Sequence, residues 1–391
     1  MKISKRACKI QPSLTRKLFN MASKYDNVID LTLGDPDLIS PMELRSAAFN
    51  SMNENKMHYS ANAGLEDARK AISNHVHEIW NVPCNHDENI IITVGGMEAL
   101  YLSLLSIVDP GDEVIIFAPY YVNYVQMIEM CGGIPIIINA YDNKKGLYVN
   151  EKIINSSISD KTVAVIINSP NNPTGDIFSK EMLKKIVNIS EQNDLLIISD
   201  EVYRTLTYDN VKHESILQFD DALSRTLLVD SLSKEYSMTG WRIGYAFGPK
   251  EIISNMVKLQ ENVAACAPVS SQYALIEAYD NHIKNQYIID EFQKRRDYLY
   301  NELVNIKNMN PMLPKGTFYM FVNIKETSMN SEEFAYNLLE NVQVAVVPGI
   351  AYGEMYDNYI RIAFTKDIET LKEAVIRIKK FLGLFKETDI K

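Results

Sequence analysis

The stretch that decides the fold is SLSKEYSMTGWRIGY, residues 231–245. It continues from an apolar run, RTLLVDS (225–231), and carries one lysine and one arginine eight positions apart. In open α/β sheets, ligands bind outside the carboxyl ends of the strands, so the residues that follow a strand are informative. The lysine is therefore either a solvated surface charge or an amine kept for chemistry.

Further short apolar runs rich in Ile and Val are typical of buried strands. They are NIIITVG (89–95), DEVIIFAP (112–119), GIPIIINA (133–140), TVAVIINSP (162–170) and DLLIISDEVY (194–203). Amphipathic segments at 97–108, 120–132 and 179–193 are predicted helices, and Ser179 is a candidate N-cap of the last. Strands alternating with helices predict a mostly parallel sheet covered on both faces.

The pattern changes to α+β from about residue 282, where a long charged helix is predicted. Three short strands follow, in GTFYMFVNI, VQVAVVPG and NYIRIAFT, together with helices in SEEFAYNLLENV and IETLKEAVIRIKKFLGLF. The first 45 residues hold one strand, VIDLTLG, and are expected to pack on the C-terminal part. We therefore predict a large domain at 46–285 and a smaller one made of 1–45 and 286–391.

Composition narrows the class of protein. The chain has 391 residues, 46% of them hydrophobic, which is enough for about two domains. The net charge is −10 with no long basic run, which argues against a nucleic-acid partner. The four cysteines form no CxxC pair, and the longest apolar runs are too short to span a bilayer. The basic start, MKISKRACKIQPSLTRKLF, lacks the apolar block of a secretory signal, so a cytoplasmic protein is expected.

Two strand ends suggest contacts with an anion or a polar ligand. Gly95 and Gly96 precede Met97 at the start of a predicted helix, where backbone can approach closely and the helix N-terminus favours an anion. A plain tight turn fits these glycines equally well. The loop SPNNPTG (169–175) is irregular, and Asn172 offers a side-chain donor, although a plain turn also fits the prolines and glycine.

Two more strand ends carry ionisable groups. Asp200 and Glu201 follow an apolar strand, where an acid is costly to bury unless it is paired. We expect one to be functional and the other to cap a following helix. Lys234, held near Tyr203 and partly dehydrated, would have a lowered pKa and act as a nucleophilic amine. Arg242 could form a bidentate clamp on a phosphate.

Together these groups meet the needs of a pyridoxal phosphate site. The aldehyde needs an amine, the phosphate needs donors and positive charge, and the pyridine nitrogen needs a carboxylate. His213 is expected to be structural. His75 and His77 form no metal set with a nearby acid, so we predict no metal.

SPNNPTG, DEVY and SLSKEYSMTGWRIGY also stand in the order and with the separations of a known family. Through nearly its whole length the sequence resembles the class I/II pyridoxal-phosphate-dependent aminotransferases of fold type I, the aspartate aminotransferase-like superfamily. The resemblance implies an α/β fold with a mostly parallel central sheet flanked by helices, plus a smaller α+β domain. It also implies pyridoxal 5'-phosphate as the cofactor, with an L-amino acid and a 2-oxo acid as substrates and 2-oxoglutarate as the acceptor. The implied reaction is a ping-pong transfer, and the implied assembly is a homodimer.

The resemblance implies roles for individual residues around the cofactor. Lys234 matches the Schiff-base lysine that moves the substrate α-proton, and Asp200 matches the partner of the ring nitrogen. Tyr203 and Asn172 match donors to the ring 3-oxygen. The phosphate cup would consist of Ser231, Ser233 and Arg242 with the backbone of Gly96 and Met97.

Four more residues complete the implied site. Tyr121 matches an aromatic that stacks on the ring, and Tyr59, in HYSANAGLEDAR, matches a tyrosine lent to the neighbouring subunit's phosphate. Both could instead be core aromatics. Arg361, with Asn172, matches the group that holds the substrate α-carboxylate, and Gly34 matches the glycine lining that pocket; a surface charge is the alternative for Arg361.

One departure leaves the substrate open. The family often has Phe-Asp-Thr-Pro where this chain has Leu38-Ile39-Ser40-Pro41, a segment that borders the substrate side chain in relatives. The same fold also hosts lyases, cyclases and synthases that would use the same Lys234. A third alternative is a non-catalytic regulatory domain that binds pyridoxal phosphate, although no basic helix-turn-helix segment is present to support it.

Overall fold

The computed structural model describes residues 2–10 and 12–383. Within them the helices are α1 (Lys5–Lys9), α2 (Leu14–Ala22), α3 (Met42–Asn53), α4 (Glu66–Trp80), α5 (Gly95–Ile107), α6 (Asn123–Cys131), α7 (Glu151–Ser157), α8 (Lys180–Gln192), α9 (Leu232–Glu235), α10 (Lys250–Val263), α11 (Val269–Asp280), α12 (Gln286–Leu303), α13 (Ser331–Val342) and α14 (Ile368–Phe381). The end of the last predicted helix, at 384–385, lies outside the described residues.

The strands divide among a large sheet, a small sheet and two short pairs. They are β1 (Ile29–Asp30), β2 (Ile90–Thr93), β3 (Glu113–Ala118), β4 (Ile134–Asn139), β5 (Tyr141–Asp142), β6 (Gly146–Leu147), β7 (Thr162–Asn168), β8 (Leu196–Asp200), β9 (Thr226–Ser231), β10 (Gly244–Phe247), β11 (Asn310–Pro311), β12 (Tyr319–Asn323), β13 (Val344–Ala345), β14 (Val347–Pro348) and β15 (Tyr359–Ala363).

The central sheet has seven strands in the order β2-β10-β9-β8-β7-β3-β4. Neighbours from β9 to β4 run parallel, whereas β10 is antiparallel to both β2 and β9. The six predicted strands of this sheet are confirmed, but β10 was missed because it lies at the end of the quoted stretch. Asn168 and Val229 flank Asp200 in register, so the carboxyl ends of β7, β8 and β9 meet at one edge.

Helices cover both faces of this sheet, as the alternating pattern predicted. Ile115 packs in a cluster with Ile154 of α7 and Ile186 of α8, whereas the next residue, Ile116, packs with Met256 of α10 on the other face. Each such side chain is almost fully buried, and burying one contributes about 1.5–3 kcal/mol to stability. The Ser179 cap of α8 is confirmed, because its hydroxyl accepts a hydrogen bond from the backbone of Met182.

The C-terminal part forms an antiparallel sheet in the order β11-β12-β15-β14. The predicted single strand VQVAVVPG is in fact two: β13 and β14 belong to different sheets. β13 pairs in parallel with β1, so the N-terminal segment joins the C-terminal part, as expected. The boundaries of the domains, 46–285 against 1–45 and 286–391, stay a prediction.

The described residues contain neither a disulfide nor a membrane span. All four cysteines have free thiols. Of the helices in this part of the chain, none has both the length and the apolar composition needed to cross a membrane.

Candidate active site

A cavity of about 520 Å³ opens at the carboxyl edge of the central sheet, where the N-terminal segment and the small sheet also contribute to its wall. Every site residue predicted from the sequence except Tyr59 lines it: Gly34, Gly96, Met97, Tyr121, Asn172, Asp200, Tyr203, Ser231, Ser233, Lys234, Arg242 and Arg361. Sequence positions as far apart as 34 and 361 therefore meet in one space.

Lys234 lies in α9, the short helix that begins as soon as β9 ends. Ser231 caps this helix, and its Oγ accepts a hydrogen bond from the backbone of Ser233 at 3.1 Å. The Lys234 Nζ donates to the Gly34 carbonyl at 2.8 Å. Burial lowers the pKa of Lys234 to about 8, although the charge of Asp35 opposes the shift. A large fraction of this amine is therefore neutral near pH 8.

Asp200 is the last residue of β8 and is buried. The phenol of Tyr124, on α6, donates to its Oδ2, and the backbone of Val202 bonds to its Oδ1. Burial raises the pKa of Asp200 to about 6, while the hydrogen bond from Tyr124 lowers it. Tyr124 was missed in the sequence. A tyrosine in a predicted amphipathic helix gives no signal of its own, because aromatic side chains on such a helix are ordinary core residues.

The glycines after β2 shape a cradle beside Arg242. The helix predicted from residue 97 begins at Gly95, so both glycines belong to its first turn. Gly95 has a φ of +72°, and a Cβ there would lie 2.6 Å from the Arg242 guanidinium. That guanidinium donates to the carbonyls of Thr239 and Val94 at 3.0 and 3.1 Å. The arginine is thereby held against a helix N-terminus, an arrangement that suits a phosphate.

Arg361 lies inside β15 and is only 4% exposed, so the surface-charge alternative is wrong. Its Nη1 donates to Asn172 Oδ1 at 3.0 Å, and its Nη2 donates to the Thr32 carbonyl. Its guanidinium carbon lies 4.1 Å from the centre of the Tyr319 ring. Among the residues that the structure describes, nothing accepts a hydrogen bond from its buried Nε. An anion in the cavity would satisfy this donor.

Tyr203 and Tyr319 face each other at the cavity wall, with their hydroxyls 3.3 Å apart. Burial raises the pKa of Tyr203 well above 10, so its phenol stays protonated and can donate at neutral pH. A Cβ at Gly34 would lie 1.7 Å from the Tyr319 hydroxyl, so a larger residue there would have to displace the buried Tyr319 ring. Tyr319 was missed because a tyrosine in a predicted strand gives no signal of its own.

The two other predicted tyrosines lie in different places. Tyr121 is half-buried at the cavity wall, where its hydroxyl accepts a hydrogen bond from Asn123 at 3.0 Å and donates to Met97 Sδ at 3.4 Å. Tyr59 is 88% exposed and does not line the cavity of its own chain. The core-aromatic alternative is therefore wrong for Tyr59.

Glu201 does not cap a helix, contrary to the expectation from the sequence. The chain turns after β8 without forming one, and Glu201 is buried. Ser199 and Ser215 donate to its Oε1 at 2.9 and 3.0 Å, and His213 Nε2 lies 2.6 Å from its Oε2. His213 therefore contacts a buried carboxylate outside the cavity wall, in agreement with the structural role expected of it.

The N-terminal segment supplies cavity residues that the sequence did not indicate. Ser13, Thr15 and Arg16, around the start of α2, line the wall, as do Asp35 and Thr239. None of these five residues follows a predicted strand of the central sheet with a motif of its own, so the sequence carried no signal for them. In the described part of the chain, no three His, Cys, Asp or Glu side chains stand close enough to hold a metal ion.

These groups fit pyridoxal phosphate. A partly neutral lysine suits the aldehyde, a guanidinium at a helix N-terminus suits the phosphate, and a buried carboxylate suits the ring nitrogen. The unsatisfied Nε of Arg361 leaves a place for the carboxylate of a substrate.

Comparison with known proteins agrees with this chemistry. The family model for aminotransferase class I and II matches residues 26–378. The chain is 36% identical to a putative aminotransferase, YugH, of Bacillus subtilis, over 95% of this chain and 96% of that protein. It is also 36% identical to an aspartate aminotransferase of Pyrococcus abyssi, over 98% of each. The structure of aspartate aminotransferase from Thermus thermophilus with maleate is similar at a TM-score of 0.92, with 30% identity, 97% of this chain covered and 100% of that one. The chain therefore belongs to the aminotransferase class I and II family and is a pyridoxal-phosphate-dependent aminotransferase of fold type I.

Proposed function

We propose that this aminotransferase works by ping-pong transfer through a covalent bond between Lys234 and its cofactor, with 2-oxoglutarate as the acceptor. When bound, pyridoxal phosphate supplies an aldehyde that bonds to amines and a ring that accepts electrons. The observation that carries the proposal is a buried lysine with a pKa of about 8, in one cavity with Asp200 and Arg361.

We assign two sets of residues to the cofactor. The phosphate is held by the guanidinium of Arg242, the hydroxyls of Ser231 and Ser233, and the backbone of Gly96 and Met97. The ring is held by Asp200, Tyr203, Asn172 and Tyr121. The first set is supported by the helix N-terminus beside Arg242, and the second by the position of all four side chains on the cavity wall.

Lys234, Asp200 and Arg361 would transfer the proton, stabilise the charge of the ring and hold the substrate, respectively. Lys234, when neutral, takes the proton from the substrate α-carbon, and its pKa of about 8 lies near the pH at which such transfer is efficient. Asp200 is ionised above pH 6 and stabilises positive charge on the ring nitrogen. Arg361 fixes the substrate carboxylate, so that the α-carbon stays within reach of the amine.

We propose dicarboxylic substrates, with aspartate as the amino donor. Arg16 stands on the cavity wall with its guanidinium carbon 5.2 Å from the centre of the Phe19 ring. Within the described residues, no carboxylate lies within ion-pair distance of it, so its charge is available to a second carboxylate. The relatives from Pyrococcus abyssi and Thermus thermophilus are both named aspartate aminotransferases, and the latter structure contains the dicarboxylate maleate.

We also propose a homodimer in which Tyr59 reaches the phosphate of the neighbouring subunit. Its exposure of 88% supports a role outside its own chain. Ile39, Met42 and Phe49 are further exposed apolar side chains within the first 60 residues, and exposed apolar patches are typical of surfaces that bind another protein. Sedimentation would show a dimer, and a monomer would contradict the assignment. A cytoplasmic location stays a prediction.

A panel of amino donors with 2-oxoglutarate tests the reaction and its substrate. Transamination produces glutamate, whereas release of ammonia or a cyclic product would instead indicate a lyase, cyclase or synthase. Arg16→Ala should lower kcat/KM for aspartate about tenfold, the value of one charged hydrogen bond, and leave that for alanine unchanged. Lys17→Ala, an exposed neighbour outside the cavity wall, is the matched control. Equal losses for aspartate and alanine would contradict the role of Arg16.

The covalent role of Lys234 can be tested directly. Borohydride reduction of the wild-type holoenzyme should fix the cofactor on the peptide that contains Lys234, as seen by mass spectrometry. Lys234→Ala should lack this adduct and lose at least about 10³-fold in turnover, because both the nucleophile and the base are removed. An Ala variant with its normal rate would overturn the proposal.

A further inference from the structure

A buried charged cluster lies next to residues 231–234, which hold three of the proposed cofactor contacts, without lining the cavity. We define the Arg204 cluster as Arg204, Asp230, Glu235, His75 and Tyr245. Arg204 Nε donates to Asp230 Oδ2 at 2.6 Å, and its Nη2 donates to Glu235 Oε2 at 3.1 Å. The side chains of these three residues are at most 9% exposed, and none of the three belongs to the cavity wall.

The two acids flank the residues that we assign to the cofactor. Asp230 immediately precedes Ser231, and Glu235 immediately follows Lys234. Asp230 Oδ1 also accepts a hydrogen bond from the backbone of Ser231 at 2.7 Å. The Arg204 guanidinium therefore bonds to the residues at both ends of 231–234. Arg204 itself directly follows Tyr203 in the chain.

The other members satisfy the remaining polar groups. Burial lowers the pKa of His75 to about 3, so its ring stays neutral, and its Nε2 lies 3.0 Å from Arg204 Nη2 as an acceptor. The Tyr245 hydroxyl donates to Asp230 Oδ2 at 3.0 Å. Arg204 is thus the cluster's cation, held by two carboxylates and a neutral imidazole.

We propose that Arg204 is a positioning residue for the cofactor: it fixes Asp230 and Glu235 so that Ser231, Ser233 and Lys234 keep the geometry that binds pyridoxal phosphate. This inference rests on the proposed cofactor contacts of those three residues. A neutral side chain at 204 would leave two buried carboxylates next to each other without a cation. They would protonate or move apart, and either change displaces the segment between them. Burial already raises the pKa of Glu235 to about 7, and the charge of Arg204 opposes that shift.

The test measures binding of pyridoxal phosphate to the full chain stripped of cofactor, by equilibrium dialysis, with the melting temperature recorded for each variant. Arg204→Gln should raise the Kd about tenfold or more, and Arg204→Lys should recover part of that loss because it restores the charge. The Arg296 side chain is 2% exposed, against 9% for Arg204, and it lies outside the cavity wall. It pairs with Asp209 and Asp297, whose side chains are about half exposed, so Arg296→Gln is the control for the loss of a buried arginine. It should lower the melting temperature and leave the Kd within about twofold.

Two results would overturn the inference: an unchanged Kd for Arg204→Gln, or an equal rise for Arg296→Gln, which would indicate general destabilisation. If Arg204→Gln does not fold, Glu235→Gln takes its place. It should raise the Kd about threefold, and an unchanged Kd would count against the proposal.

Borohydride trapping of the wild type distinguishes failure of the positioning role from failure of the proposed function. An absent adduct on Lys234 contradicts the covalent role itself. A normal adduct together with normal binding by the position-204 variant contradicts only the positioning role.

Discussion

The phenol of Tyr124 donates a 2.5 Å hydrogen bond to Oδ2 of Asp200, at the carboxyl end of β8. Burial and this hydrogen bond act on the pKa of Asp200 in opposite directions: burial raises it and the bond lowers it. The tyrosine therefore favours the ionised carboxylate that a protonated ring nitrogen requires.

Tyr124→Phe should raise the pKa of Asp200 above about 6, because the opposing hydrogen bond is lost and the burial remains. We expect kcat to fall about tenfold and the acidic limb of the pH–rate profile to move to higher pH, since one charged hydrogen bond is worth about 1.5–3 kcal/mol. Tyr356→Phe is the control, as it removes a buried phenol that bonds to Ala118 and Asn139 instead. An acidic limb that stays in place would show that Tyr124 does not tune Asp200.

Asp200 also makes the stability of the cofactor-free chain depend on pH. Its folded pKa of about 6 lies above the usual 3.8, so between these values the folded state binds the proton more tightly than the unfolded state. Stability therefore falls as pH rises from 4 to 6 and levels above that range. Relative to Asp200→Asn, we expect a loss of about 3 kcal/mol across the window, measured by urea unfolding. A difference that does not vary with pH would refute the raised pKa.

Lys234 should control the pH dependence of covalent bonding to the cofactor. Only the neutral amine reacts, and burial lowers the pKa of Lys234 from 10.5 to about 8. The rate at which the stripped chain bonds to pyridoxal phosphate should rise about tenfold from pH 7 to 9 and then level off. Stopped-flow absorbance measures it. A rate that continues to climb through pH 10 would instead indicate an ordinary lysine.

Arg361→Lys should weaken binding of the substrate carboxylate. A lysine ammonium cannot replace the planar Arg361 guanidinium, which donates to Asn172 and lies over the Tyr319 ring. We expect KM for amino acids to rise about 30- to 100-fold, with a smaller change in kcat, from the loss of a charged hydrogen bond. Arg377→Lys, on α14 and bonded to Glu373, is the control. A normal KM in the Arg361 variant would remove this residue from the substrate site.

Local pattern was sufficient for most of the fold. Continuous Ile and Val runs predicted six strands of the central sheet because strands buried on both faces leave no polar alternation. The strand Gly244–Phe247 was not recognised, since it is four residues long and begins two positions after Arg242. The segment VQVAVVPG could not be divided in advance, because the break between β13 and β14 depends on which sheet each half meets.

The site was predicted where a residue type stands next to a strand end. Lys234, Asp200 and Asn172 were found in this way, because parallel strands bring such positions to one edge. Tyr124 and Tyr319 were not, because a tyrosine within a helix or strand is ordinary in sequence. Arg204 was also missed, since its partners become visible only when α4, β9 and α9 are packed together.

The sequence by itself determined the α/β class, the cofactor and the amine that would bond to it, because each depends on residue types at fixed local spacing. The tertiary structure decided which side chains surround that amine and what charge they carry. A pKa depends on burial and on neighbours within a few ångströms, and those neighbours come from positions up to 329 residues apart, as Thr32 and Arg361 do. Local spacing holds no information about such distances, so the electrostatics of this site could be derived only from the folded chain.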